Sequence, residues 1–267
     1  MLAIERRNKI KKILIDKKSI RVTDLVKEFN VSEETIRRDL NQLETEGFLK
    51  KNYGGAILVD EFLSSAPILP IQKRKEKFFE EKQLIGKAAG KLIQDNQTII
   101  IDAGSTTWHV ASESTHKENL KVITNAMNIA EECTKNQSAS IYLLGGKLRR
   151  NSLSTVGPQA EEELKKYNAN YVFLGTSGVS LRQGITSSDL YEAEMKKAMV
   201  SAGEKIVVLA DHSKFANAGL TSFCDFEKVD ILITSDLVSA QVLEEVRQKG
   251  VEVIVVDMPA SSKQTSS

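Results

Sequence analysis

Three hydroxyl side chains follow a glycine in the stretch Thr98-Ile-Ile-Ile-Asp102-Ala-Gly104-Ser105-Thr106-Thr107-Trp108. Gly104 lets backbone amides approach an anion. Ser105, Thr106 and Thr107 add O–H donors, and a helix starting there would present the positive end of its dipole. This is chemistry for holding a phosphate. No Gly-Lys-Ser/Thr follows, so the loop is not a P-loop, and without GxGxxG it is not a dinucleotide fingerprint. An unliganded helix N-cap would use the same residues, so the loop alone leaves both readings open.

Four other stretches have the same form, an apolar run ending in small or polar residues. They are Thr124-Asn125, Gly145-Gly146-Lys147 with Arg149 and Arg150 close behind, Gly175-Thr176-Ser177-Gly178, and Asp211-His212-Ser213-Lys214-Phe215. Strand ends of this kind suggest one shared pocket. Lys214 and one of Arg149 or Arg150 are the candidate cations for a phosphate, Lys as a point charge and Arg as a bidentate fork. His212 either lines that pocket or has a local structural role, and Trp108 is core or pocket wall. His109 and His116 have no partner at metal-ligand spacing. Cys133 and Cys224 form no CxxC pair. The reading is no metal and no cofactor, two structural cysteines, and a reducing cytoplasm.

These ends must be positioned by strands. Seven runs read as strands: 98–102, 121–124, 141–144, 171–174, 205–210, 230–234 and 251–256. Helical patterns fall at 82–94, 106–114, 126–135, 158–166, 190–202 and 239–249. Continuous apolar runs such as Ile206-Val-Val-Leu-Ala210 suit a sheet covered on both faces. Strand–helix alternation implies parallel right-handed crossovers. The fold class is therefore α/β, a doubly wound, Rossmann-like sheet with its site at the carboxyl ends of the strands.

The first 57 residues follow a different pattern. The chain of 267 residues has a formal charge of +1, but residues 1–59 hold 13 Lys/Arg against 9 Asp/Glu and the remainder is acidic by three. Apolar residues at helical spacing mark a helix around Ile10 and Leu14, a second with Thr23 as N-cap before Leu25 and Phe29, and a third with Ser32 as N-cap before Ile36, Leu40 and Leu43. Gly47 ends the third, and residues 48–58 read as a hairpin with a basic turn. With Ile36 facing the core, Arg38 faces outward, flanked by Glu34, Asn41 and Gln42, while Thr35 and Arg37 project from the sides. Arg can bond guanine and Asn or Gln adenine in a major groove. Thr23, Ser32 and Thr35 could offer hydroxyls to phosphates, and Lys50, Lys51 and Tyr53 suit the wing of a winged helix. A solvated helix in a small bundle has the same periodicity. Pro67 and Pro70 place a linker at 58–74. The run Lys73-Arg74-Lys75-Glu76-Lys77 is either a solvated helix start or a DNA-backbone contact beside it. The small polar stretch 259–267 reads as a frayed tail. No apolar run approaches the roughly 20 residues of a bilayer span, and no signal-peptide core follows Met1.

The residues themselves favour the winged helix. Arg6-x3-Ile10-x3-Leu14, Ser32-x2-Thr35-Ile36-Arg37-Arg38-Asp39-Leu40, Glu46-Gly47 and Tyr53-Gly54-Gly55-Ala56 closely resemble the DeoR family of bacterial transcription repressors. The resemblance implies a DNA-binding winged helix over 1–57, with Ser32, Thr35, Arg37 and Arg38 as recognition-helix contacts. Asp39 is read as structural, bonding Arg37 or a neighbouring helix. Residues 75–258 resemble the family's effector domain through Asp102-Ala-Gly-Ser-Thr-Thr107, Thr124-Asn125, Leu144-Gly-Gly146, Phe173-Leu-Gly175, Gly184-Ile-Thr186 and Ala210-Asp-His-Ser-Lys-Phe215. That implies a sugar-phosphate sensor related in fold to ribose-5-phosphate isomerase and glucosamine-6-phosphate deaminase. Gly104 to Thr107 and Lys214 would hold phosphate. Asp102, Asn125 and Glu194 would meet hydroxyls, with Glu192 equally placed. Gly178 belongs to the fourth strand-end loop, which lacks the carboxylate a related isomerase carries there. The chain is thus expected to be a non-enzymatic repressor of a sugar or polyol operon. It would bind double-stranded operator DNA as a homo-oligomer, dimer or tetramer, and be released by a phosphorylated sugar or polyol. The competing reading is a sugar-phosphate isomerase or deaminase fused to a DNA-binding domain.

Overall fold

The structure is a computed structural model that describes residues 6–7, 9–11, 13–14, 19–45, 49–52, 54–58, 70–216 and 218–259. The chain forms two compact units, Met1–Pro67 and Ile68–Ser267.

In the first unit, α1 is helical at the described residues of 6–14. It is followed by β1 (Ser19–Arg21), α2 (Val22–Phe29), α3 (Glu33–Thr45), β2 (Leu49–Asn52) and β3 (Gly55–Leu58). Ile10, Leu14, Leu25, Ile36, Leu40, Leu43 and Leu49 are fully or almost fully buried, so the apolar stripes read from the sequence are the core. Asn30, in left-handed backbone at φ 50°, ends α2 and makes the turn into α3. The Thr35 N–H donates to Ser32 Oγ at 3.3 Å, which makes Ser32 the cap expected of it. Thr23 is not a cap: it is the second residue of α2, which begins at Val22 behind Arg21 with no side-chain cap. The hairpin β2–β3 gains a third strand, in the order β1-β3-β2. The Val22 N–H donates to Gly54 O, and a side chain at Gly55 would stand 2.2 Å from Ile20 O, so only glycine fits there. Gly47, Phe48, Tyr53 and 260–267 lie outside the described residues, as does the Lys50 side chain.

The second unit opens with α4 (Ile71–Glu76) and α5 (Phe79–Gly90). The last residues of the expected 58–74 linker are therefore helix, started behind Pro70 and seated by buried Ile71, whose N–H donates to Asn151 O. There follow β4 (Thr98–Ile101), α6 (Thr107–Glu113), β5 (Lys121–Thr124), α7 (Met127–Cys133), β6 (Ser140–Leu143), β7 (Lys147–Arg149), β8 (Ser154–Val156), α8 (Pro158–Leu164) and β9 (Ala169–Gly175). Next come β10 (Gly178–Ser180), β11 (Gly184–Ser187), α9 (Leu190–Ser201), β12 (Gly203–Leu209), β13 (Thr221–Cys224), β14 (Ile231–Ser235), α10 (Ala240–Arg247) and β15 (Glu252–Val256). The seven expected strands form one sheet in the order β15-β14-β12-β9-β4-β5-β6, every pair parallel. Two buried apolar clusters flank it, one holding Leu174, Val208 and Met199, the other Ile99, Ile101 and Val110. The chain winds outward from β4 to β6, then returns to the far side of β4 at β9. That reversal opens a crevice beyond the carboxyl ends of β4 and β9, where open α/β sheets bind ligands. The β7–β8 hairpin and the antiparallel sheet β10-β11-β13 were not read from the sequence. Their strands are only three or four residues long, too short for a period-2 pattern to stand out.

Candidate functional site

The outer face of α3 is the candidate nucleic-acid surface. Glu34, Arg38, Asn41 and Gln42 are exposed, and the Arg38 guanidinium has no protein partner among the described residues. Arg37 donates to Glu33 Oε1 at 2.6 and 3.0 Å across an exposed i,i+4 pair. Such a pair is worth only about 0.3–0.5 kcal/mol and yields easily to a phosphate. Asp39 turns inward, as expected of a structural residue, but its partner is not Arg37. The buried Arg6 Nε donates to Asp39 Oδ2 at 2.5 Å and Arg7 stands 3.6 Å from Oδ1, so the partner is the neighbouring helix α1, which anchors α3. Lys51 is not a free wing cation. Its ammonium donates to Asn41 Oδ1 at 2.7 Å and pairs with Glu44 at 3.0 Å, which ties both Lys51 and Asn41 into a brace between β2 and α3.

In the second unit, the carboxyl end of β4 runs into the turn Asp102–Thr107. Gly104, Ser105, Thr106 and Thr107 are buried, and a side chain at Gly104 would stand 2.8 Å from Thr107 Oγ1. The hydroxyls divide. Thr107 Oγ1 donates to Asp102 O at 2.6 Å and holds the turn, so it is not available to an anion. Those of Ser105 and Thr106 have no protein partner among the described residues. Thr124 is likewise committed, donating to Ile101 O and accepting from the Ala126 N–H.

Asp102 does not face a sugar. Lys196, on α9, places its ammonium on Asp102 Oδ2 and donates to Gly175 O at 2.9 Å, while the Gly175 N–H donates to the same Oδ2 at 3.0 Å. Both side chains are buried, so one ion pair locks the two loops of the crevice together. Lys196 was missed from the sequence because lysine usually faces water. Its position was nonetheless legible, at i+3 from Ala193 and i−3 from Met199, on the buried stripe of α9.

Arg149 is also committed. It sits on Asp189 Oδ1 and 3.8 Å from Glu192, and these carboxylates raise its pKa against the opposing effect of burial. Of the two arginines only Arg150 is exposed. Glu194 is paired on the surface with Lys197 at 2.8 Å. Glu192 is the inward carboxylate, its pKa raised by desolvation beside Arg149, Lys196 and Arg74. Gly178 closes the turn after β9 with Thr176, and Gly145 and Gly146 occupy the turn before β7. Lys214 stands 3.9 Å from Asp211 Oδ2, a loose pair that leaves its donors open. His212 is structural: its N–H and Nδ1 face Glu81 Oε1 and Oε2, each at 2.7 Å, and Ser235 Oγ donates to Glu81 at 2.6 Å. Glu81, Asp211 and His212 lie close enough together to share a metal ion. The Glu81 oxygens are already satisfied, however, and Lys214 and Lys82 put positive charge beside the trio.

Several buried polar atoms at this edge have no hydrogen-bond partner among the described residues: Asn125 Oδ1, both amide atoms of Asn128, Asp189 Oδ2 and Asp211 Oδ2. Buried polar groups are normally satisfied, so these exceptions at the carboxyl ends of β5, β12 and their neighbours have hydrogen-bonding capacity left over. Asn125 is held in place through Nδ2, which donates to Thr155 O at 2.8 Å. Two further cations come from outside the sheet. Lys82 donates to Arg74 O and Lys77 O, both at 2.6 Å, and burial lowers its pKa to about 8. Lys75 lies 3.7 Å over the Trp108 ring. Both cysteines are buried, which pushes their thiols up to about 11 and keeps them unreactive. Among the described residues no helix is long and apolar enough to cross a membrane.

Residues 6–62 match the DeoR-like helix-turn-helix domain and residues 77–236 the DeoR C terminal sensor domain. The HTH-type transcriptional regulator GolR of Listeria innocua is 32% identical over 257 residues, covering 96% of this chain and 100% of the relative. The glycerol-3-phosphate regulon repressor of Escherichia coli is 29% identical over 234 residues, covering 88% of this chain and 91% of that protein. Among solved structures, a ribose 5-phosphate isomerase from Plasmodium falciparum is 17% identical and covers 52% of this chain and 54% of its own at a TM-score of 0.39.

Proposed function

The chain belongs to the DeoR family, and on that footing we propose that it is a transcriptional repressor of a sugar or polyol catabolic operon, released from its operator by a phosphorylated sugar or polyol. It acts in the cytoplasm as a homo-oligomer, each copy offering one α3 to a major groove. Arg38 reads base edges, and Arg37, Ser32 and Thr35 contact the backbone. The phosphate sits against Ser105, Thr106 and the amides of their turn, with Lys214 as its cation. Asn125 and Asn128 bind the hydroxyls.

The observation that supports the sensor reading most directly is the set of unpartnered polar groups around the β4–β9 crevice. Ser105, Thr106, Asn125 and Asn128 have donors and acceptors to give, whereas Asp102, Thr107 and Thr124 have spent theirs on the scaffold. The same division argues for binding without turnover. An isomerising base must reach a substrate carbon, and Asp102 is neutralised by Lys196 while the loop after β9 contains no carboxylate.

A thermal-shift screen with phosphorylated sugars and polyols tests the reading, since a ligand at 100 times its Kd stabilises by about 2.7 kcal/mol. The releasing compound must also lower operator affinity, and by reciprocal linkage operator must weaken its binding by the same factor. Thr106→Ala and Lys214→Ala are expected to bind operator normally and to lose the response. If both variants respond like the parent, the phosphate does not bind there. If any of the compounds is converted to product at a catalytic rate, the protein is an enzyme.

A further inference from the structure

Among the described residues, one edge of the seven-stranded sheet is paired with no further strand and carries no charge. β6 pairs with β5 on one side only. The Ser140 N–H donates to Leu120 O and the Leu144 N–H to Thr124 O. By alternation Ser140, Tyr142 and Leu144 face β5, and Ile141 and Leu143 turn their N–H and C=O groups outward, where they have no partner among the described residues. Exposed edges normally carry a charge, a proline or a bulge that blocks a further strand. Here residues 136–146 contain no charged residue and no proline, and β6 pairs in unbroken register. The side chains are apolar instead. Tyr142 and Leu143 on β6 and Leu148 on β7 are 41%, 48% and 47% exposed, three of the five exposed large apolar side chains among the described residues.

We propose that the open edge of β6 is the self-association surface of this protein, on which a second copy of the chain adds its own β6 antiparallel across a two-fold axis. Charge selects this occupant. A two-fold contact sets each residue against its own kind or a near neighbour, so like charges would repel, and a segment with none is suited to meeting itself. The register follows from which groups point outward. Ile141 and Leu143 are the hydrogen-bonding residues of the free edge, so Ile141 of one copy exchanges both ladder bonds with Leu143 of the other, and the symmetry repeats the exchange. Tyr142 then lies opposite its own copy at a non-hydrogen-bonded position, where paired Cα atoms are about 4.5 Å apart. The result is a continuous fourteen-stranded sheet in which Leu143 of one copy lies opposite Ile141 of the other. Such a contact would unite two copies, as a two-fold operator requires. Its use in repression rests on the proposed function, but the contact itself rests on the sheet edge alone.

Tyr142→Cys in the full-length protein tests the register, because a Cα separation near 4.5 Å is within disulfide reach and the native cysteines are buried. Mild oxidation is expected to give a cross-linked dimer in high yield, while Val255→Cys on the opposite edge strand gives little. Leu143→Asp is expected to halve the sedimentation mass while its far-ultraviolet spectrum stays that of the parent. A parent that is oligomeric, with no cross-link above the Val255→Cys control and with the Leu143→Asp mass unchanged, would place self-association elsewhere and overturn the inference while leaving the repressor reading intact. A parent monomeric at tens of micromolar would overturn both the edge contact and the proposed oligomer.

Discussion

The Lys196–Asp102 pair offers the most quantitative test of how the crevice is built. Lys196→Met removes the ammonium and keeps most of the stem. Asp102 Oδ2 then retains only the Gly175 N–H at 3.0 Å, and a carboxylate with almost no exposure loses its counter-charge. Breaking a buried pair from one side costs about 3–5 kcal/mol, much of it the penalty of the stranded charge. Asp102→Asn should cost a similar amount, because it strands the lysine. The double variant carries no buried charge, so its loss should be smaller than the sum of the single losses. The expected coupling is about 2–3 kcal/mol, at the upper end of what contacting residues show. The assay is urea denaturation of the four proteins near pH 7, followed by a probe of the second unit so that the winged-helix transition does not contribute. Single losses below 1 kcal/mol, or single losses that simply add, would mean that the pair is solvated and does not lock the two loops.

Arg38→Ala is expected to weaken specific operator binding by about 1–3 kcal/mol and relax base preference; an equal loss on random DNA would make Arg38 a phosphate contact. Asn128→Leu removes two buried amide atoms that have no partner, so the unliganded protein should be no less stable, while affinity for the releasing metabolite drops about tenfold or more. A destabilised variant with unchanged affinity would assign Asn128 to the scaffold. His109 is buried and its pKa is lowered to about 4, first by desolvation and then by Lys75 and Lys82. The unfolded chain therefore binds more protons than the folded one between pH 4 and the ordinary value of 6.5, and stability falls with acidification through that window, by about 2 kcal/mol from pH 7 to pH 5. His109→Gln should flatten this part of the profile in urea midpoints, and an unchanged slope would assign it to other groups.

Much of this protein is determined by the sequence alone. The seven long-range strands are legible because burial on both faces demands continuous apolar runs, as in Ile206–Ala210, and the helices between them because one buried stripe repeats every 3.6 residues. Ser32 is legible as a cap because a hydroxyl before an amphipathic run has a local partner three residues on. The turn 102–107 is legible because a glycine followed by hydroxyls at a strand end marks a tight turn into a helix, which Thr107 closes on Asp102 O. All of these are local, and local physics is written in neighbouring residues.

The tertiary structure decided which of the marked residues are spent and which are left. Asp102, Thr107, Thr124, Arg149 and Lys51 have the right chemistry for a ligand or for DNA, yet each is satisfied by a partner. Lys196 reaches Asp102 from 94 positions along the chain, and Asp189 lies 40 residues beyond Arg149. No pattern of spacing reports such pairings, because they depend on where β9 re-enters beside β4 and where α9 then crosses. The same holds for Asn128, whose lack of hydrogen-bond partners among the described residues can be seen only once its neighbours are placed, and for the edge of β6, which is an edge only because the chain reverses at β9 and no described strand is added beyond it.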